Sequence, residues 1–170
     1  WSSDVCSSDL LRQIRLENDP ILRKKSREVE KIDDRIKQIV DDMFETMYEN
    51  KGIGLACVQV GMLKRIVVID MQDEDGKMVL INPKIIERSD EKQINVEGCL
   101  SVPGKNGYVE RPKTVTVEYT DLDGNIQRKT ATDYKAHCFC HELDHLDGVL
   151  YTDKVLNLSD EEIERLNNEK

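Results

Sequence analysis

The stretch YKAHCFCHELDHL, residues Tyr134–Leu146, constrains the chain more than any other. Wound as a helix, its Ala136, Cys138, Phe139, Cys140, Leu143 and Leu146 occupy more than one face, so the helix has to be covered on most sides. Gly148 supplies its C-terminal stop. The rest of the chain holds material to surround it. Ile36, Ile39, Val40, Met43, Phe44 and Met47 recur at helical spacing and predict an amphipathic helix from Asp33 to Asn50, stopped by Gly52. Arg65–Asp70 (RIVVID) and Met78–Ile81 (MVLI) read as strands joined by a turn at Asp75-Gly76. Thr114–Thr120 alternates, and Asp121–Gly124 turns it into a partner at Asn125–Thr130. Ser159 with Glu162 three residues on marks a capping box and a last short helix. The expected fold is therefore α+β, with antiparallel β-sheets packed around a central buried helix, an N-terminal amphipathic helix and a short C-terminal helix.

No repeat or linker divides the chain, and residues 11–170 are expected to form one domain. The first ten residues, WSSDVCSSDL, are Ser/Asp-rich and carry the single Trp, and they are read as a non-native segment outside the fold. Removing their two aspartates takes the net charge from −9 to −7. Either value disfavours nucleic acid or an anionic membrane as a direct partner, since both demand a concentrated basic surface. No apolar run approaches the roughly 18 residues of a membrane span, and no signal-peptide pattern is present. Five cysteines without a disulfide spacing suit a reducing cytoplasm.

Within the central helix, His141 and His145 stand one turn apart, about 6 Å along the axis, so both imidazoles can reach one metal ion. Glu142 is rotated by about 100° from His141, near enough to meet a water beside that ion without ligating it. A chance match to H-E-x-x-H in a chain of this length is roughly a one-in-several-hundred event. A catalytic metal usually takes three protein ligands, so a third is needed. Cys57, Cys99, Cys138, Cys140, His137 and the acids are candidates. Cys138 and Cys140 fall off the histidine face and read as small buried residues. His137 would place three histidines in line. Cys99, in VEGCLSVPG, is better placed, and as a ligand it would hold the Leu100 N–H where an oxyanion could accept from it. A buried thiol is the alternative. In GIGLACVQVG, residues 52–61, the glycines imply close backbone approach. Gln59 stands there within an apolar run, so it either satisfies backbone or points into a site.

Together, Gly52–Gly61, Glu97–Ser101 and Cys140–Leu146 resemble the three signature segments of the peptide deformylases, in the same order. The resemblance extends through NDPILRK, INPKI at 81–85 and GVLY at 148–151, covering Leu11 to about Asp153. It implies that Cys99, His141 and His145 hold an iron(II) ion, replaceable by zinc or nickel. It makes Glu142 the general acid/base, with Gln59 and the Leu100 N–H as oxyanion donors. Ile53, Gly54, Glu97 and Gly98 would line a groove that takes the peptide as an added strand, and Tyr134, His137 and Cys138 the methionine pocket. The substrate would be the N-formylmethionyl end of a nascent polypeptide in the cytoplasm, and the product formate.

The chain departs from the family pattern in three places. Cys57 stands for an alanine, Cys140 for a glutamine, and the final helix carries Asp160, Glu161, Glu162 and Glu164 against Arg165. Some relatives dock on the ribosome through a basic C-terminal helix; this acidic one is not expected to. A peptidase cutting internal bonds would more usually draw its third ligand from a downstream His or Glu. A non-catalytic metal-binding homologue would have no use for Glu142. A thiol redox protein would call for C-x-x-C, whereas Cys138 and Cys140 are spaced C-x-C.

Overall fold

In the computed structural model, which describes residues 12–170, the first helix forms where its periodicity places it. The N-terminal segment read as non-native lies outside the described residues. Helix α1 spans Asp34–Glu49, and the Asp33 side chain accepts the Ile36 N–H at 3.0 Å, satisfying one of the orphan donors of the first turn. Its end differs from the expectation. Asn50 is the C-cap, Lys51 takes the left-handed conformation (φ 59°), and the Gly52 N–H returns to Met47 O at 2.9 Å. Gly52 serves a different need, since a Cβ there would lie 2.7 Å from Leu100 Cδ1.

Strands β1 (Gly54–Ala56), β2 (Ile66–Asp70), β3 (Lys77–Arg88), β6 (Thr114–Thr120) and β7 (Ile126–Thr132) form an antiparallel sheet in the order β1-β2-β3-β6-β7. A separate hairpin joins β4 (Lys92–Cys99) to β5 (Val102–Pro112). Strand β3 runs far beyond the apolar run that marks it in sequence. Asn82 adopts a positive φ of 50°, and the register with β6 shifts between Ile81 and Lys84, so Pro83 sits in a bulge instead of ending the strand. The Asn82 amide also exchanges two hydrogen bonds with the Val29 backbone, each 2.8 Å, pinning the N-terminal arm. In the hairpin, Pro103-Gly104 reads as a turn by sequence but lies within β5. The chain reverses at Leu100-Ser101, which leaves Cys99 at the tip of β4.

Helix α2 spans Asp133–Leu146, and ten of its fourteen residues are buried, the covered central helix that its composition requires. The large sheet separates it from α1. Val67 and Ile69 of β2 pack with Phe139, Leu143 and Leu146 on the α2 side. Ile66 and Val68 pack with Ile39, Met43 and Met47 on the α1 side. A strand buried on both faces reads as a continuous apolar run, which is why RIVVID shows no alternation. The arm then closes over the end of α2. Leu146 O accepts from the Ser26 N–H at 2.8 Å and from Arg65 Nη1 at 3.0 Å, satisfying a carbonyl the helix itself cannot. The last helix, α3 (Asp160–Asn168), carries the expected capping box and buries no residue. No helix among the described residues is long and apolar enough to cross a membrane.

Candidate metal centre

Three elements from separate parts of the chain meet in one cavity of about 630 Å³. Helix α2 lines it with His141 and Glu142 and holds the fully buried His145 behind them. The tip of β4 brings Cys99, and the 3-10 turn Cys57–Val60 behind β1 brings Gln59. Cys99 Sγ lies 3.4 Å from His145 Nε2, and one donor atom from each of Cys99, His141 and His145 falls within 4.8 Å of the others. One thiol and two imidazoles make a borderline-soft N/S set of the kind that holds zinc, nickel or iron(II). Burial and then the charge of His141 hold the His145 imidazole well below its ordinary value, so it stays neutral, the form that binds a metal. Burial opposes a charge on His141 too, but its contacts with Cys99 and Glu97 prevail and lift it to about 10. An ion binding there therefore has to displace a proton. The donor set fits a divalent metal.

Glu142 is 5% exposed. Burial pushes its carboxyl up to about 7, against the opposing charge of His141. Oε1 lies 3.8 Å from His141 Nε2, and Oε2 meets no hydrogen-bond donor among the described residues. A carboxyl held near neutrality beside a metal cluster is suited to take a proton and return it. The Gln59 amide is oriented by its own turn. Its Oε1 accepts the Ala56 N–H at 2.9 Å, and Nε2 therefore faces Ser101 Oγ at 3.1 Å and Cys99 Sγ at 3.5 Å. The two sequence-level alternatives for this residue are thus both met, with one end satisfying backbone and the other turned to the centre. Leu100 follows Cys99 in the turn and borders the same cavity.

Ile53, Gly54, Gly98, Tyr134, His137 and Cys138 also line the cavity. Tyr134 stacks on His137, with ring centroids 6.0 Å apart and planes at 11°. Glu97 borders the cavity, yet its carboxylate is turned into a buried network. Oε2 accepts from Arg111 Nε at 2.9 Å, and Oε1 accepts from Arg111 Nη2 at 3.0 Å. His141 Nδ1 lies 2.7 Å from Oε1 and His137 Nε2 lies 2.5 Å from Oε2. Burial alone would raise Glu97; the bonds from His137, His141 and Arg111 outweigh it and hold the carboxyl well below the usual range. With Nδ1 engaged in this way, His141 presents Nε2 to the centre.

The remaining thiols stand apart from the donor cluster. Burial pushes Cys57 up to about 12 and Cys140 to about 11, and it raises Cys138 well above its ordinary value. Sequence reasoning overlooked Arg111, Asp144 and Ser101. Arg111 had a signal, for it shares the inward parity of Val109 on β5, where a charged side chain needs a buried partner. Asp144 and Ser101 had none, because their partners are distant in sequence.

The family model described as polypeptide deformylase matches residues 11–161. A peptide deformylase of Finegoldia magna is 92% identical over 160 residues, covering 94% of this chain and 99% of that one. One from Acetivibrio thermocellus is 53% identical, covering 91% and 90%. The crystal structure of the Thermotoga maritima peptide deformylase matches with a TM-score of 0.83 at 39% identity, covering 86% of this chain and 99% of that one. A peptide deformylase from Synechococcus elongatus, in complex with actinonin, matches with a TM-score of 0.82 at 42% identity, covering 94% and 85%.

Proposed function

Because the chain belongs to the peptide deformylase family, we propose that Cys99, His141 and His145 are its metal ligands and that Glu142, Gln59 and the Leu100 N–H are its catalytic groups. The chain is a metal-dependent hydrolase that removes the N-formyl group from the formylmethionine of newly synthesised proteins, releasing formate. The observation that carries the assignment of residues is the cluster of one thiol and two imidazole donors beside the buried Glu142. When bound, a divalent ion supplies Lewis-acid activation of water and of the formyl oxygen. Iron(II) is the ion we assign, with zinc or nickel able to take the same donors.

Around that centre each side chain has a task. Glu142 accepts the proton of the attacking water and passes it to the leaving nitrogen. Gln59 Nε2, aimed by the Ala56 contact, donates to the developing oxyanion together with the Leu100 N–H. Ile53 precedes and Gly54 opens β1, the end strand of the sheet, which among the described residues has only β2 beside it. An extended peptide laid there, between that strand and Glu97-Gly98, continues the antiparallel pattern. Tyr134, His137 and Cys138 receive the methionine side chain. A formamide carbon bears only hydrogen beyond its amide, so a site walled by Gly52 and Gly54 can admit it while excluding bulkier acyl groups. A substrate made in the cytoplasm supports a cytoplasmic location. The four acidic residues of α3 make it a poor anchor for ribosomal RNA.

The test is formate release from a short N-formylmethionyl peptide, under anaerobic conditions with iron(II) or nickel restored, for the wild type and Glu142→Ala. Release that vanishes in the variant while metal content is kept establishes the reaction and the role of Glu142. A metallated wild type that releases no formate refutes the reading, and cleavage of unformylated peptides at internal bonds would replace it with a peptidase.

A further inference from the structure

The Glu97–Arg111 pair is buried, with 4% and 3% of the side chains exposed, and α2 grips it with a stripe of residues at i, i+4 and i+7. His137 Nε2 lies 2.5 Å from Glu97 Oε2. His141 Nδ1 lies 2.7 Å from Oε1. Asp144 Oδ2 accepts from Arg111 Nη1 at 2.5 Å. Residues so spaced share one helix face, so the helix holds both oxygens of the carboxylate and the far end of the guanidinium at once. Arg111 binds the carboxylate in bidentate fashion from the β5 side. That fork fixes the plane of the carboxylate against β5. The two histidines fix it against α2, one on each oxygen, and His141 is itself in the donor cluster.

We propose that His137 is a positioning residue for the metal centre: by engaging Glu97 Oε2 it completes the clamp that holds Oε1 on His141 Nδ1 and so keeps His141 Nε2 directed at the ion. This rests on the assignment of His141 as a ligand. His137 has no place in that donor set, and its role as a wall of the substrate cavity does not require a nitrogen. An apolar side chain would line the pocket equally well. Neither nitrogen of this buried imidazole (1% exposed) makes an aligned hydrogen bond among the described residues, an expensive choice for packing alone. The 2.5 Å approach of Nε2 to the Glu97 carboxylate is the polar contact that offsets that cost. Losing an outer partner of a metal-binding histidine costs 10- to 100-fold in metal affinity in typical cases.

The test compares His137→Gln with His137→Met, side chains of nearly equal length of which only Gln carries an N–H. Each protein is loaded with nickel or zinc, challenged with excess chelator, and followed by metal content, alongside its thermal melting temperature. The expected result is that His137→Met loses metal about tenfold faster than His137→Gln, with Gln close to the wild type and similar melting temperatures in the two metal-free variants. A cobalt-loaded sample adds a second readout, a change in its visible absorption spectrum in Met that Gln reverses. Equal rates of metal loss in the two variants, whatever their melting temperatures, would assign His137 to packing and overturn the proposal. A wild type that takes up no metal would overturn the ligand assignment, and the proposal with it.

Discussion

Gly54 packs closely against the carboxylate of Glu142: a Cβ there would lie 3.0 Å from Oε1 and 3.1 Å from Cδ and Cγ, tighter than an ordinary van der Waals contact. Glycine in the end strand is therefore what lets the acid/base sit beside the donor cluster. Gly54→Ala has to move the Glu142 carboxylate by a few tenths of an ångström. Since a misplacement of about 1 Å can cost about 100-fold, this smaller shift is expected to lower kcat by about 3- to 10-fold with metal content unchanged. Steady-state kinetics paired with metal analysis checks this, and full activity would show that Glu142 is freer than its packing indicates.

Gln59 offers a cleaner test of oxyanion stabilisation, because its carbonyl end is already occupied by the Ala56 N–H. Gln59→Ala is expected to lower kcat/KM by about 10²–10³. An unchanged value on a formylmethionyl peptide would remove Gln59 from the catalytic groups.

Arg111 should matter to stability as much as to activity. Arg111→Met strands Glu97 as a buried carboxylate facing two histidines, and losing one partner of a buried pair costs about 3–5 kcal/mol. Denaturant unfolding of the single variant and of Arg111→Met/Glu97→Gln measures it. The double variant is expected to be more stable than the single one, because no uncompensated charge is left.

Removing the metal should open one described thiol to chemistry and leave three closed. Cys57, Cys138 and Cys140 are buried, and burial keeps each thiol protonated at pH 8. Cys99 is partly exposed and borders the cavity. Alkylation at pH 8 followed by mass spectrometry should mark Cys99 in the metal-free protein and spare it in the loaded one. Labelling of Cys99 at equal rates in both states would contradict its role as a ligand.

Gly148 ties the end of α2 to the N-terminal arm. It holds a φ of 77°, and a Cβ would lie 2.5 Å from Arg23 O, a backbone atom. Gly148→Ala is expected to cost more than about 1 kcal/mol from the conformation alone, with the clash added. A lower melting temperature with normal metal content of the folded protein is the expected signature.

The parts of this protein that its sequence determines are those carried by local chemistry. The two faces of apolar residues on α2 demand a covered helix, and its histidines one turn apart put both imidazoles within reach of a shared target. The spacing of apolar residues in α1 and the alternation in β6 act in the same way, through the geometry of a single element. Cys99 and Gln59 were legible as candidates because a thiol after a glycine and an amide in an apolar run each call for an explanation. Tertiary structure alone decided what those groups meet. The turn at Leu100-Ser101 sets Cys99 against His145, and the Ala56 N–H selects which end of Gln59 faces the centre. A carboxylate read as lining the peptide groove has its oxygens taken up by Arg111, His137 and His141. Whether a buried polar atom is satisfied depends on partners 14 to 44 residues away along the chain, and no periodicity within one element carries that information.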